Sequence, residues 1–286
     1  MKLIACIVCT FTLSLSAQGW WAIGTGTMQN YALGNEIGGD RIYTAQKVAQ
    51  TTRINYGLGG GQKVSIGGQY FFSDSSPFVL GITISYLQGN TERYAETEND
   101  SNQYLSYTTL QNRQIIINPS IGLKYHIGKT KHITSIGLIS PLLMRTNEQT
   151  YWEVAGAQQG QEERNIRYKY SPGLFLHHSI QLVKKGPLSL NVSGEIGILS
   201  PSRKTKIVKN YWDINGRQLM DVFPDLAQRE LEYINPNTLE QGQRLNDPAF
   251  NPLKYNPNNR QQAFEYNENM SYVGIGIHIN YQILRK

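Results

Sequence analysis

Six ionisable side chains share one face of the predicted strands with residues that are mostly small, such as Gly, Ser and Asn. They are Lys124, His126, Lys169, His177, Glu195 and His278. The alternation described below places all six on the same face of their strands, and charges buried on such a face must be paired or hydrated. We therefore expect a hydrogen-bonded network in which Glu195 accepts from Lys124 or Lys169. A proton relay or a catalytic role for these groups is the alternative.

Three histidines, His177, His178 and His278, are the candidate general bases. His178 falls on the apolar face of its strand, which is an unusual place for an imidazole. No Ser–His–carboxylate arrangement can be assembled from the linear spacing. The sequence contains no HExxH, Gly-x-Ser-x-Gly or Walker motif and no carboxylates at metal-ligand spacing. The pattern favours a protein that is not an enzyme and that needs no metal or cofactor.

The elements that would position these side chains are β-strands, because apolar and polar residues alternate with a period of two. In the clearest run, Phe78, Ile82 and Ile84 face one way while Gly81 and Ser85 face the other. Eight such runs are predicted, at residues 21–28, 64–72, 78–86, 114–127, 132–144, 168–183, 188–199 and 272–284. An even number of strands is typical of single-chain bacterial β-barrels.

The links between the predicted strands alternate in length. The short links are residues 73–77, 128–131 and 184–187, and the long links are about 29–63, 89–113, 145–167 and 200–271. In a soluble β-sandwich there is no reason for loops to sort by side in this way. We expect an all-β fold, an eight-stranded antiparallel transmembrane β-barrel with short periplasmic turns and four long extracellular loops.

The composition of the two strand faces indicates which one meets lipid. One face is rich in Ile, Leu and Val, whereas the other is Gly, Ser, Thr, Asn and Gln, a filling that cannot drive folding in water. We therefore expect the apolar face to point outward into the membrane. Aromatic girdles at the strand ends are predicted to consist of Tyr70, Phe72, Tyr86, Tyr125, Tyr168, Tyr170 and Tyr281.

The N-terminal residues have the pattern of a secretory signal. Lys2 precedes an apolar run over residues 3–15, and small residues follow, with cleavage expected after Ala17. A lipoprotein site at Cys6 is disfavoured because only five residues precede it. The expected domains are therefore a signal peptide, residues 1–17, and a barrel, residues 18–286.

The composition of the remaining chain narrows the classes further. Both cysteines, Cys6 and Cys9, lie in the expected signal, so the mature chain has no thiol or disulfide. Removing Lys2 lowers the formal net charge from +6 to +5, too little to indicate nucleic-acid binding.

The last long link, residues 200–271, is too long to serve as a connection alone. Residues 203–209 and 263–270 alternate like strands, and we expect them to extend the last two strands above the membrane with basic residues facing acidic ones. A short helix is predicted at 225–233, followed by turns in the Pro/Asn-rich segment to residue 259. This segment is either a partner-docking surface or a solvated, variable loop.

The pattern resembles the small eight-stranded outer-membrane β-barrels of Bacteroidota, which are similar to barrels of the OmpX, OmpW and OmpA transmembrane type. The resemblance rests on residues 67–72 (GGQYFF), 117–125 (INPSIGLKY) and the closing strand, 272–284. It departs from the pattern of the proteobacterial barrels at the end, where Arg285 and Lys286 follow instead of an aromatic residue. The resemblance implies Sec export to the outer membrane of a Gram-negative bacterium and contact with outer-membrane lipid and lipopolysaccharide.

Three functions remain open from the sequence. The first is a non-enzymatic surface protein whose loops bind a protein or glycan, support envelope integrity or serve a membrane assembly. The second is a narrow porin or carrier for small or apolar solutes. The third is an enzyme that modifies lipid A, as some small outer-membrane barrels do.

Overall fold

The structure is a computed structural model that describes residues 19–33, 36–45, 48–99, 104–235, 245–249, 252–253 and 255–283. For residues 36–56 it describes the backbone. The expected signal peptide, and residues 236–244 of the Pro/Asn-rich segment, lie outside the described residues.

Strands make up most of the described chain, which confirms the all-β class. Fourteen are present: β1 (Trp20–Ala32), β2 (Glu36–Ala45), β3 (Val48–Tyr56), β4 (Gly61–Phe71), β5 (Phe78–Asn99), β6 (Tyr104–Ile127), β7 (Thr130–Val154), β8 (Ala157–Tyr168), β9 (Gly173–Lys185), β10 (Leu188–Ile198), β11 (Arg203–Asp213), β12 (Glu230–Ile234), β13 (Gln261–Phe264) and β14 (Tyr272–Ile283). Helix is limited to a 3₁₀ turn, Met220–Val222, and α1, Leu226–Arg229. None of the described helices is long or apolar enough to cross a membrane.

Eight of these strands pair in a cyclic order. Antiparallel pairing joins β1 to β4, β5, β6, β7, β9, β10 and β14 in turn, and β14 pairs with β1 again. Gly24 of β1, for example, is opposite Gly67 on one side and Asn280 on the other. Each of the eight predicted runs overlaps one of these strands. Runs 64–72 and 188–199 extend one residue past β4 and β10, residue 284 lies outside the described residues, and run 168–183 starts five residues before β9.

Six further strands extend the sheet, so the prediction of eight strands describes only part of it. Strands β5, β6 and β7 have 22, 24 and 25 residues, and β8, β11, β12 and β13 continue from β7 in that order, while β2 and β3 continue from β5. Much of what the sequence predicted as long loops is therefore strand. Apart from residues 203–209 and 263–270, which the sequence predicted as strand-like, these stretches are rich in polar residues, so an alternation of apolar and polar residues is weak in the sequence.

Two predictions for the last long link are wrong in detail. Strand β11 pairs with β8 and β12 instead of with residues 263–270. The two segments meet at the start of β11, through the bridge of Ser202 with Asn267 and the ion pair of Arg203 with Glu268. The predicted helix at 225–233 is one turn long, and its second half is β12. Edge pairing with β8 satisfies the backbone of β11 better than the short segment before β14 can.

The two faces of the eight cyclically paired strands differ sharply. In β10, Asn191, Ser193 and Glu195 are buried whereas Leu190 and Ile196 are exposed, and the other seven strands follow the same rule. We call the buried side the inner face. The exposed apolar residues of the outer face, termed the apolar belt, include Ile23, Val64, Ile66, Ile82, Ile84, Ile115, Ile121, Leu123, Ile136, Leu138, Leu142, Leu174, Leu176, Leu190, Ile196, Ile275, Ile277 and Ile279.

Candidate functional site

A buried ion pair lies at the centre of the inner face. The Nζ of Lys63 on β4 donates to Oε1 of Glu195 on β10, and the hydroxyl of Tyr272 on β14 donates to the same oxygen over 2.5 Å. All three side chains are buried. Since β4 and β10 are not neighbours in the sheet, this contact crosses the enclosed space.

Two predicted histidines lie beside this pair. The rings of His177 and His278 are 5.8 Å apart and nearly perpendicular, and Nε2 of His278 is 2.6 Å from Oγ of Ser193. Glycine makes room for the imidazole, because a Cβ at Gly26 would lie 2.0 Å from Nδ1 of His278. Small residues on the inner face thus leave the space that the larger polar side chains occupy.

A cavity of about 80 Å³ adjoins these groups. It is lined by Lys63, Glu195, His177 and His278 together with serine, asparagine and glycine from all eight cyclically paired strands. Buried atoms of Gln69, Ser85 and Asn118, which also line it, have no protein partner among the described residues. Polar cavities of this size hold ordered water, so we expect a small hydrated chamber.

The structure corrects the predicted partner of Glu195. That partner is Lys63, a residue that the sequence analysis did not single out. Lys124 donates instead to the backbone oxygens of Ser73 and Asp74, at 3.3 and 2.8 Å, and Lys169 pairs with Glu265. His126 is exposed near the 128–129 turn. Only His177, Glu195 and His278 of the six predicted residues meet in one site.

Apolar residues pack on the inner face on both sides of the chamber. On the side of the long strands a buried cluster includes Leu110, Ile116, Ile139, Phe175 and Met270, and it separates the chamber from that end of the sheet. On the other side Phe71, Val79 and Ile133 pack together with Ala22 and Trp20. This packing leaves a second cavity of about 30 Å³, which shares Ala22, Gln69, Ser179, Asn191 and Asn280 with the chamber.

A second buried cluster, which sequence reasoning missed, ties the last long link to the sheet. Arg203 pairs with Glu268 through Oε1, and the Tyr168 hydroxyl donates to Oε2 over 2.5 Å. The Arg203 guanidinium also lies 4.7 Å from the ring centroid of Tyr266. Burial, together with the carboxylate, raises the pKa of Tyr168 well above its ordinary value, so this phenol remains a donor at neutral pH.

A third ion pair lies near this second cluster. Lys206 Nζ is 2.6 Å from Oε1 of Glu148, and both side chains are largely buried. Burial lowers the pKa of Lys206, while the Glu148 carboxylate opposes that shift. The predicted contact between the basic segment 203–209 and the acidic segment 263–270 is thus made by Arg203 and Glu268, whereas Lys206 pairs with Glu148 of β7.

His178 on the outer face also has an explanation in the structure. Its Nδ1 is 2.9 Å from the Thr134 hydroxyl, and its Nε2 is 3.4 Å from Nδ1 of His132. The Tyr125 ring stacks on His132 at 5.5 Å. The imidazole is part of a local cross-strand polar cluster, in which no carboxylate from the described part of the chain contacts it.

The predicted girdle residues separate into two groups. Phe72, Tyr86, Tyr125, Tyr170 and Tyr281 are exposed on the outer face. Tyr70 is buried between Trp21 and Phe72, with ring centroids 5.2 Å from each. Tyr168 of β8 is buried on the side of the sheet that continues the inner face, so its assignment to an exposed girdle is wrong.

The inner face thus offers acid–base groups without an accessible reaction site. Oγ of Ser193 lies within hydrogen-bond distance of Nε2 of His278, which is the contact that a nucleophile and its general base make. Ser193 is buried, so a substrate would reach it only if the packed interior opened. Among the described residues no three His, Cys, Asp or Glu side chains are grouped to hold a metal ion. Chemically, this arrangement stabilises a closed interior.

Comparison with known proteins does not add a family. Neither a protein-family model nor a curated protein sequence matches this chain.

Proposed function

We propose that the eight cyclically paired strands form a transmembrane β-barrel in the outer membrane of a Gram-negative bacterium, and that the protein acts at the cell surface without catalysis. The observation that carries this proposal is the inverted polarity of the sheet. Ile66, Ile275 and Ile277 are exposed by 59%, 64% and 55% on the outer face, while charged and amide side chains are buried on the inner face.

Such an arrangement is unfavourable in water and favourable in hydrocarbon. Fully burying an Ile or Leu side chain contributes about 1.5–3 kcal/mol, and the apolar belt repeats this side chain around all eight strands. A cyclic order of pairing also satisfies every strand edge, which a membrane-spanning sheet requires. Both properties support a lipid-exposed barrel similar to the small outer-membrane barrels of Bacteroidota.

The filled interior favours a surface role over a channel or an enzyme. One apolar cluster closes the chamber on the side of the long strands, a second cluster narrows the other side to a cavity of about 30 Å³, and the Lys63–Glu195 pair crosses the chamber. A solute would have to displace packed side chains to pass, and a lipid substrate on the outer face would not reach His177 or His278.

The part of the sheet that continues beyond the belt is the proposed interaction surface. A tilted strand needs about 9–11 residues to span the membrane, whereas β5, β6 and β7 have 22, 24 and 25 residues, at least twice that number. The excess carries exposed or half-exposed polar and aromatic groups, such as the stacked rings of Tyr107 and Tyr151 at 4.9 Å. We propose that this projecting sheet binds a protein or glycan partner or serves a membrane assembly.

The test begins with the behaviour of the purified mature chain. We expect it to need detergent for solubility, to migrate differently on gels before and after boiling, and to insert into vesicles. In planar bilayers it should show no reproducible conductance steps. A chain that is monodisperse in buffer without detergent would refute the barrel, and regular conductance steps would refute the filled interior.

A further inference from the structure

Three arginines lie side by side on the outer face, where the apolar belt ends. Arg113 of β6 is directly opposite Arg145 of β7, which is in turn opposite Arg167 of β8. Neighbouring strands are about 4.8 Å apart, so the three side chains start from adjacent positions. We call these three residues the arginine row.

The three side chains point to the same side of the sheet. Each is exposed and each stands between two buried residues of its own strand: Asn112 and Gln114, Met144 and Thr146, and Ile166 and Tyr168. Because side chains alternate between the faces of a strand, the buried flanking residues fix all three arginines on the outer face.

The positive charges of the arginine row have no carboxylate partners among the described residues. Like charges directly opposite one another destabilise a strand pair, and here two such pairs share Arg145. Among the described residues no carboxylate lies within ion-pairing distance of any of the three. The one side-chain hydrogen bond of the row is from Arg113 to the amide oxygen of Gln111, at 3.2 Å.

Amide side chains continue the row around the sheet at the same level. Gln88 of β5 is opposite Arg113, Gln62 of β4 is opposite Gln88, and Gln29 of β1 is opposite Gln62. Amides and guanidinium groups both donate hydrogen bonds to phosphate oxygens. Six neighbouring strands thus present donors along one line.

This line of donors lies where the outer face changes from apolar to polar side chains. On its near side are Ile115 two residues from Arg113, the exposed Leu142 on β7, and Tyr170, which is 67% exposed. On the far side Gln111, Asn147 and Asn165 follow at the next outward positions. In a membrane this border coincides with the headgroups, just outside the hydrocarbon.

We propose that the arginine row binds the anionic phosphate of a membrane lipid whose acyl chains lie on the apolar belt below it. The inference rests on the proposed transmembrane barrel. The planar guanidinium groups form paired hydrogen bonds with phosphate oxygens, and a bound phosphate relieves the repulsion among the three cations. The position of Ile115, Leu142 and Tyr170 below the row selects a lipid over a soluble anion, because the acyl chains add apolar contact that free phosphate cannot make.

The experiment compares the full mature chain with a row variant, Arg113→Gln, Arg145→Gln and Arg167→Gln together. The matched control is Lys209→Gln, Arg217→Gln and Arg229→Gln, which removes the same charge from exposed residues elsewhere. Binding of phosphatidic acid and of phosphatidylcholine with the same acyl chains is measured in detergent by native mass spectrometry. Inorganic phosphate is added as a competitor in a separate arm.

We expect wild type and control to bind phosphatidic acid in preference to phosphatidylcholine, and the row variant to bind it about tenfold more weakly or worse. An unchanged affinity of the row variant would overturn the proposal. Displacement of the lipid by inorganic phosphate at comparable concentration would overturn the lipid as the occupant. Gel migration before and after boiling is measured first for all three proteins: if wild type does not fold in detergent the barrel proposal fails, whereas folding without lipid preference refutes the arginine row alone.

Discussion

Single side chains hold the inner face together because they connect strands that are not neighbours. Lys63 and Glu195 come from β4 and β10, and Tyr272 adds a third strand to the same carboxylate. Breaking a buried ion pair by removing one partner costs about 3–5 kcal/mol, since the other charge remains buried and uncompensated. At this scale the pair fixes which strands face each other across the interior.

The first prediction is that Glu195→Gln strongly lowers the stability of the folded protein in vesicles, by about 3–5 kcal/mol. Adding Lys63→Met to this variant should recover much of the loss, because the unpaired charge is then gone. Glu230→Gln is the control, since the pair of Glu230 with Arg260 is partly exposed and should contribute less than about 1 kcal/mol. Urea titration of folding measures all three, and a Glu195→Gln loss no larger than that of the control would contradict the role of the pair.

At the scale of elements, the last long link is held by its ends. Arg203 at the start of β11 and Glu268 before β14 form a buried pair that also includes Tyr168 of β8. This pair joins three segments separated by up to 100 residues in sequence. The backbone pairing of β11 with β8 attaches this segment along β11, and the Glu268 carboxylate adds a buried attachment point at the end of the segment.

We predict that Glu268→Gln makes the segment between β11 and β14 more sensitive to protease added outside vesicles. The cleavage rate should rise roughly tenfold or more, because hydrogen bonds to a charged group contribute about 1.5–3 kcal/mol and 1.4 kcal/mol corresponds to a factor of ten. Glu265→Gln, which affects the more exposed pair with Lys169, should change the rate far less. Equal rates in the two variants would show that the buried pair does not anchor the segment.

At the scale of the whole molecule, the orientation of the two faces decides which solvent the fold suits. The apolar belt surrounds the eight cyclically paired strands, and the polar inner face is filled by its own hydrogen bonds and ion pairs. In the proposed barrel, lipid on the outside stabilises the belt without requiring a large apolar core. Beyond the belt the outward side chains of the long strands are mostly polar, so in this proposal the same sheet passes from hydrocarbon into water.

The corresponding prediction concerns one residue of the belt and one beyond it. Ile277→Arg should reduce folding into vesicles, because Arg on the lipid face near the middle of the bilayer costs about 2–4 kcal/mol. Val154→Arg makes the same chemical change at the exposed end of β7 and should leave folding unchanged. The free energy of folding from urea titration in vesicles distinguishes them, and an equal effect of both variants would argue against a lipid-facing belt.

The strands and their faces were predictable from the sequence because alternation is a local property. A period of two follows from the geometry of one extended strand, so residues 78–86 and 114–127 indicate both the strand and its apolar side. The same pattern predicted that His177, Glu195 and His278 share the inner face. It also predicted most of the aromatic side chains that are exposed on the outer face.

Only the tertiary structure decided which residues meet. The partner of Glu195 is 132 residues away in sequence, and the pairing of Arg113 with Arg145 and Arg167 depends on strand register, which turns and distant strands set together. The segments that form strands β2, β3 and β8 and the extensions of β5 to β7 were predicted as loops because their sequences are mostly polar and show no regular apolar alternation. The sequence by itself determined an all-β chain with one apolar and one polar face. The enclosed ion pairs exist because the sheet curls and brings distant strands opposite each other. The arginine row exists because separate strands are paired in register.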